Sequence, residues 1–136
     1  MGFLQHRHPA VAEGGRYGAI ALFTAAGAFS PVFWPAMRDS AKALAGRPGI
    51  AAAISGMVTE VFEPEIDEST LRAYFEETLA LFGPDRLLFG TDWPVCLLRI
   101  DSYKSWADMV RGFVSELSSD ESDAILHDNA VRIYGL

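Results

Sequence analysis

Apolar residues in this chain alternate between two patterns, steps of three and four residues and short unbroken runs, with Gly and Pro at the junctions. Phe33, Trp34, Met37, Ala41 and Leu44 follow the first pattern, which lines one face of a helix. Ser30 is placed to cap that helix, Pro31 suits its first turn, and Gly46 and Pro48 end it. The run from Ile50 to Met57 then reads as a short buried strand released at Gly56. A second cycle repeats the first. Asp67 caps a helix whose Leu71, Tyr74, Phe75, Thr78, Leu79 and Phe82 form one stripe, and Gly83-Pro84 stops it. The run Leu87-Leu88-Phe89, bounded by Gly83-Pro84 and by Gly90 and Pro94, predicts a strand buried on both faces that ends on Asp92.

Two helices complete the pattern. One starts near Ser105, with Asp108 closing a Ser-x-x-Asp box, and turns Trp106, Met109, Val110, Phe113, Val114 and Leu117 inward. Ser118 to Glu121 form a capping box for the last, whose Ile125, Leu126, Asn129, Ala130 and Ile133 share a face. Helix, short stop and apolar strand, repeated, predict an α/β fold with a parallel sheet. The organisation expected is a poorly patterned segment over 1–30 followed by one body over 31–136.

The first thirty residues resist this treatment. Gly18 to Phe33 is apolar but too short and too interrupted for a membrane span of about 20 residues. It has the look of a secretory signal core, yet Glu13 and a long leader argue against that. What remains is a buried helix or an unpaired segment awaiting a partner. His6 and His8 would share one face of a strand, the geometry of paired metal ligands, but no apolar strand precedes them and a solvated tail is the expectation.

Composition narrows the partners. The 136 residues are half hydrophobic and carry a formal charge of −7, with 11 Lys and Arg against 18 Asp and Glu. A nucleic-acid or anionic-membrane surface needs clustered cations, so neither is expected, and a small-molecule ligand is. Cys96 is the single cysteine, which leaves no intramolecular disulfide and makes a reducing cytoplasm the default.

Asp92 is the candidate for chemistry. A carboxylate at the exit of a buried parallel strand sits where such sheets bind ligands, and its desolvation must be offset by hydrogen bonds, a metal or a proton. The alternative is an Asx-turn, with the side chain bonding backbone amides near Pro94. Trp93 and Tyr103 flank the apolar loop from Val95 to Ile100 and could line a sugar-sized cavity or simply fill core. Arg86 is expected to pair with Asp85 or a helix carboxylate, and His127 to lie on the surface.

The run from Phe82 to Pro94, through Gly83-Pro84-Asp85-Arg86 and Gly90-Thr91-Asp92-Trp93, resembles the last-strand signature of the amidohydrolase superfamily, in its lactonase branch. Ser55-Gly56-Met57-Val58-Thr59-Glu60 and the terminal helix from Asn129 to Leu136 are similar to that branch as well. The resemblance implies the C-terminal part of a (β/α)8 TIM barrel, incomplete in this chain because a whole barrel needs about 250 residues. It implies hydrolysis of a sugar or dicarboxylate lactone, with Asp92 as general acid and base and in some relatives a metal ligand too. One divalent metal, zinc or manganese, and a substrate contact at Glu60 are further implications. Many relatives carry a Lys where this chain has Ala53, which favours the alternative of a truncated, inactive fragment or interaction module. A homo-oligomer that completes the sheet is a further expected arrangement.

Overall fold

A computed structural model describes residues 19–22, 34–59 and 67–136. Three strands, β1 (Ala19–Leu22), β2 (Ile50–Ile54) and β3 (Leu87–Phe89), form a parallel sheet in the order β1-β2-β3. Ala19 stands beside Ile50, and Ala52 beside Leu87. The apolar N-terminal stretch was expected to be a helix or an unpaired segment, and over Ala19–Leu22 it is neither: four small or branched apolar residues extend along β2. Periodicity alone does not separate a short buried strand from a buried helix. His6 and His8 lie outside the described residues.

The connections run as the apolar pattern requires. Helix α1 (Trp34–Ala45) returns the chain from β1 toward β2, and α2 (Glu68–Phe82) links β2 to β3. Asp67 caps α2 as expected, accepting from the Ser69 amide at 3.0 Å and from the Ser69 and Thr70 hydroxyls, which hold its carboxyl below the ordinary range. Leu71, Tyr74, Phe75, Thr78 and Phe82 are the buried stripe of α2. Three alanines, Ala51, Ala52 and Ala53, are buried in β2, so the middle strand is covered on both faces.

The remaining helices cover the sheet beyond β3. Helix α3 (Tyr103–Val114) buries Trp106, Val110, Phe113 and Val114, and its Phe113 ring meets Phe75 of α2 at a centroid distance of 5.5 Å. It begins three residues earlier than the Ser105 box predicts, because Ser102 takes the cap and bonds the Ser105 amide, while Asp108 pairs with Lys104 and Arg111. Ser118 and Glu121 make the predicted capping box of α4 (Ser119–Asp123). That helix runs through a wider π turn, Ala124–Asp128, into α5 (Asn129–Tyr134).

The N-terminal end of the sheet is tied down by side chains that reach main-chain carbonyls. Arg86, expected to meet a carboxylate, instead donates to Phe82 O, Ala45 O, Arg47 O and Ile50 O at 2.9–3.3 Å. The last carbonyls of a helix lack intrahelical partners and carry partial negative charge, so a guanidinium fork satisfies several at once. Asn129, 2% exposed, donates its amide to Pro84 O and Leu87 O at 2.6 and 2.7 Å, and its own oxygen accepts from Arg132. His127 is on the surface beside Asp128.

Candidate active site

At the opposite end of the sheet, β2 and β3 release their chains side by side. The Gly90 amide donates to Ile54 O at 3.1 Å, extending the ladder by one bond past β3. A β-carbon on Gly90 would fall 2.8 Å from the Ser55 β-carbon, so the two backbones pass closer than two side-chain-bearing residues allow. The buried Trp106 indole donates to Gly90 O at 2.9 Å and fixes the exit from below. Two residues on, Asp92 has a φ of +53°, in the left-handed region that Asp and Asn adopt more readily than most residues.

The loop leaving β2 brings the Thr59 hydroxyl near enough to lower the Asp92 carboxyl. Gly56, with a φ of +71°, turns that loop so that the Thr59 amide and hydroxyl both reach Gly56 O, at 3.1 and 2.8 Å. Desolvation pushes the Asp92 carboxyl above its ordinary value of 3.8, and the Thr59 bond offsets part of that rise. The Asx-turn alternative does not describe the loop. The turn is closed by the Asp92 carbonyl, which accepts from the Cys96 amide at 2.9 Å, leaving the carboxylate out of it. Cys96 is itself buried as a small apolar side chain.

Trp93 and Tyr103 do not fill core. They are 64% and 54% exposed and, with Thr91, line an open cavity of about 310 Å³. Asp92 lies between two of these residues in sequence but is not among the lining. The structure thus brings Trp93 and Tyr103 together on one wall and sets Asp92 with Thr59 beside it. The loop over Val95–Leu98 is a single 3₁₀ turn with Val95, Leu97 and Leu98 turned outward. Glu60 lies outside the described residues. Thr59 and Trp106 are the residues that sequence reasoning missed as parts of the site. The signal for Thr59 was its place three residues after a turn-forming Gly.

Catalytic zinc takes three protein ligands and an open position. Among the described residues no three His, Cys, Asp or Glu side chains come together, so these residues offer Asp92 as one ligand and do not by themselves hold a metal. No helix among them is long and apolar enough to cross a membrane.

An acid at the C-terminal edge of a parallel sheet stands where such sheets place ligand-binding and catalytic residues. The chain belongs to the amidohydrolase family, whose sequence profile, Amidohydrolase, matches residues 15–136. An L-fucono-1,5-lactonase of Burkholderia multivorans is 38% identical over 104 residues, 73% of this chain and 35% of that protein. The chain therefore spans about a third of the length of this curated relative. Among solved structures, an amidohydrolase from Burkholderia multivorans with bound zinc superposes with a TM-score of 0.80 at 28% identity, over 93% of this chain and 46% of that one. A putative 2-pyrone-4,6-dicarboxylic acid hydrolase from Pseudomonas putida shares the fold, with a TM-score of 0.58 at 24% identity, over 80% of this chain and 38% of that one.

Proposed function

We propose that this chain is the C-terminal part of a (β/α)8 barrel that hydrolyses a lactone, a sugar lactone before a dicarboxylate one, with Asp92 as general base and general acid. The observation that carries this reading is a carboxylate at the strand exit that the fold does not use. Asp92 closes no turn through its side chain, and burial raises its carboxyl above the ordinary value. A group in that state can both take and return a proton.

In this mechanism Asp92 removes a proton from water as the water oxygen bonds to the lactone carbonyl carbon. The tetrahedral intermediate then breaks its ring C–O bond, and Asp92 returns the same proton to the leaving alkoxide, giving an open hydroxy acid. Trp93 and Tyr103 supply flat, exposed faces on which an apolar side of the ring can rest. Glu60 belongs to this proposal as a contact for a substrate hydroxyl. The group that polarises the carbonyl would be a zinc or manganese ion or a cationic side chain; among the described residues no three metal-ligating side chains come together to hold such an ion.

One observation favours a second reading, a non-catalytic piece that keeps the fold. Ala53, buried in β2, occupies the position where the lactonase branch resembled above often carries Lys. The test is acid release from a panel of sugar and dicarboxylate lactones, with and without zinc or manganese, by the purified chain and by Asp92→Asn. The expected result is turnover by the wild type and a drop of about 10²- to 10⁴-fold in the variant. A folded wild type that hydrolyses none of the panel would overturn the catalytic reading and favour the second.

A further inference from the structure

We propose that Trp106 is a positioning residue that sets the width of the cavity lined by Thr91, Trp93 and Tyr103, through the hydrogen bond from its indole to Gly90 O. This rests on the reading above, in which that cavity receives the lactone ring. The walls come from two elements: Thr91 and Trp93 follow the exit of β3, and Tyr103 is the first residue of α3. Trp106 stands one turn further along the same helix, where residues three apart are neighbours. It is fully buried, and its Nε1–H donates to Gly90 O at 2.9 Å, immediately before Thr91. The bond therefore joins the helix that carries one wall to the strand end that carries the other. Ser102 caps the first turn of α3 by accepting from the Ser105 amide, so Tyr103 moves with Trp106 as one piece.

Gly90 is held through both of its main-chain polar groups. Its N–H donates to Ile54 O at 3.1 Å, and its carbonyl takes the indole. Losing the indole bond leaves the exit registered on β2 and releases only its tie to α3. The segment that carries Asp92 then keeps its place beside β2, while the Tyr103 wall is free to drift from Trp93. A ring that only filled core would spread its loss over both elements. A positioning residue weakens the grip on the ring and leaves the strand exit as it was.

The test is Trp106→Phe, which keeps a buried ring and loses the N–H. The probe is D-glucono-δ-lactam, a sugar-lactone analogue whose ring amide resists hydrolysis, titrated against the Trp93 indole resonance. The variant should bind it about fivefold more weakly than wild type. Amide exchange in the free variant should quicken about tenfold at Ala107, in the first turn of α3, and stay within about twofold at Gly90. Where lactone turnover is measurable, KM should rise about fivefold with kcat within about twofold. If the variant does not fold, the wild type carries the test, because a bond that favours ring binding is favoured by it in return. Saturating lactam should then slow exchange of the Trp106 indole proton about threefold more than that of the Gly90 amide. Equal binding by the two proteins, equal loosening at Ala107 and Gly90, an indole proton indifferent to the lactam, or a wild type that binds no lactam would each overturn the inference. A wild type that binds the lactam and turns over no lactone would instead sink the catalytic reading and leave the positioning intact.

Discussion

The two ends of the sheet are built by opposite rules. At the N-terminal end, Arg86 and Asn129 between them serve six carbonyls. At the C-terminal end a carboxylate is raised by burial, a non-glycine residue takes a positive φ, and Trp93, Leu98 and Tyr103 face outward. The closed end holds the strands in register, and the open end carries unspent chemistry. Stability and function are therefore separable by position along the same three strands.

The largest effect expected at the open end is on rate and not on fold. Asp92→Asn should remove turnover by about 10²- to 10⁴-fold while leaving the unfolding free energy within about 1 kcal/mol of wild type, since Asn also accepts a left-handed backbone. A large loss of stability in urea denaturation would make Asp92 a structural residue. At the closed end the balance reverses. Asn129→Ala leaves Pro84 O and Leu87 O without that donor and should cost about 1–3 kcal/mol of stability, read by the same denaturation. An effect near zero would mean that water replaces the amide and that the two ends are less distinct than they look.

Gly90→Ala sharpens the contrast from the middle. Its new β-carbon meets Ser55, and crowding of that kind costs about 1–3 kcal/mol; the shift of the strand exit should also lower kcat, which Asn129→Ala should not do selectively. The dependence on pH follows from the raised Asp92 carboxyl. Because its folded value lies above its unfolded one, the folded state favours the protonated form, and wild-type stability falls as pH rises through the raised value. Asp92→Asn lacks that fall, so the variant's stability relative to wild type should grow as pH rises from the ordinary carboxylate value through the raised one and then level off, and the acid limb of turnover should lie above the ordinary carboxylate value. A difference that shrinks over that range would contradict the assigned direction. The smallest effect belongs to Trp93→Ala, expected within about 0.5 kcal/mol in stability because the ring is exposed, with a raised KM for lactones as its signature.

The closed end was the less legible one from sequence. The strands at Ile50 and Leu87, the stripes of α2 and α3, and the caps at Asp67 and Ser118 followed from local spacing, because caps and amphipathic faces are decided within a few residues. Arg86 and Asn129 were misjudged or unassigned in role because most of their partners lie 36 to 45 residues away, among them Ile50, Ala45 and Pro84. Local charge suggested Asp85 for Arg86, and the packed register is what puts the carbonyls of Ala45, Arg47 and Ile50 within its reach. Asp92 stood out at once as an acid ending an apolar run. Thr59 did not, since its meaning depends on which loop lies beside it. The start of α3 was placed too late because Ser102, three residues before the expected cap, is the residue that accepts from the Ser105 amide.

The close passage of Gly90 beside Ser55 bears on how this site can change over generations. Between those two positions there is room for one β-carbon, so the residue allowed at one depends on the residue at the other. A library that randomises position 90 alone should return glycine. One that randomises both should admit alanine at 90 together with glycine at 55, opening a second sequence route to the same strand exit.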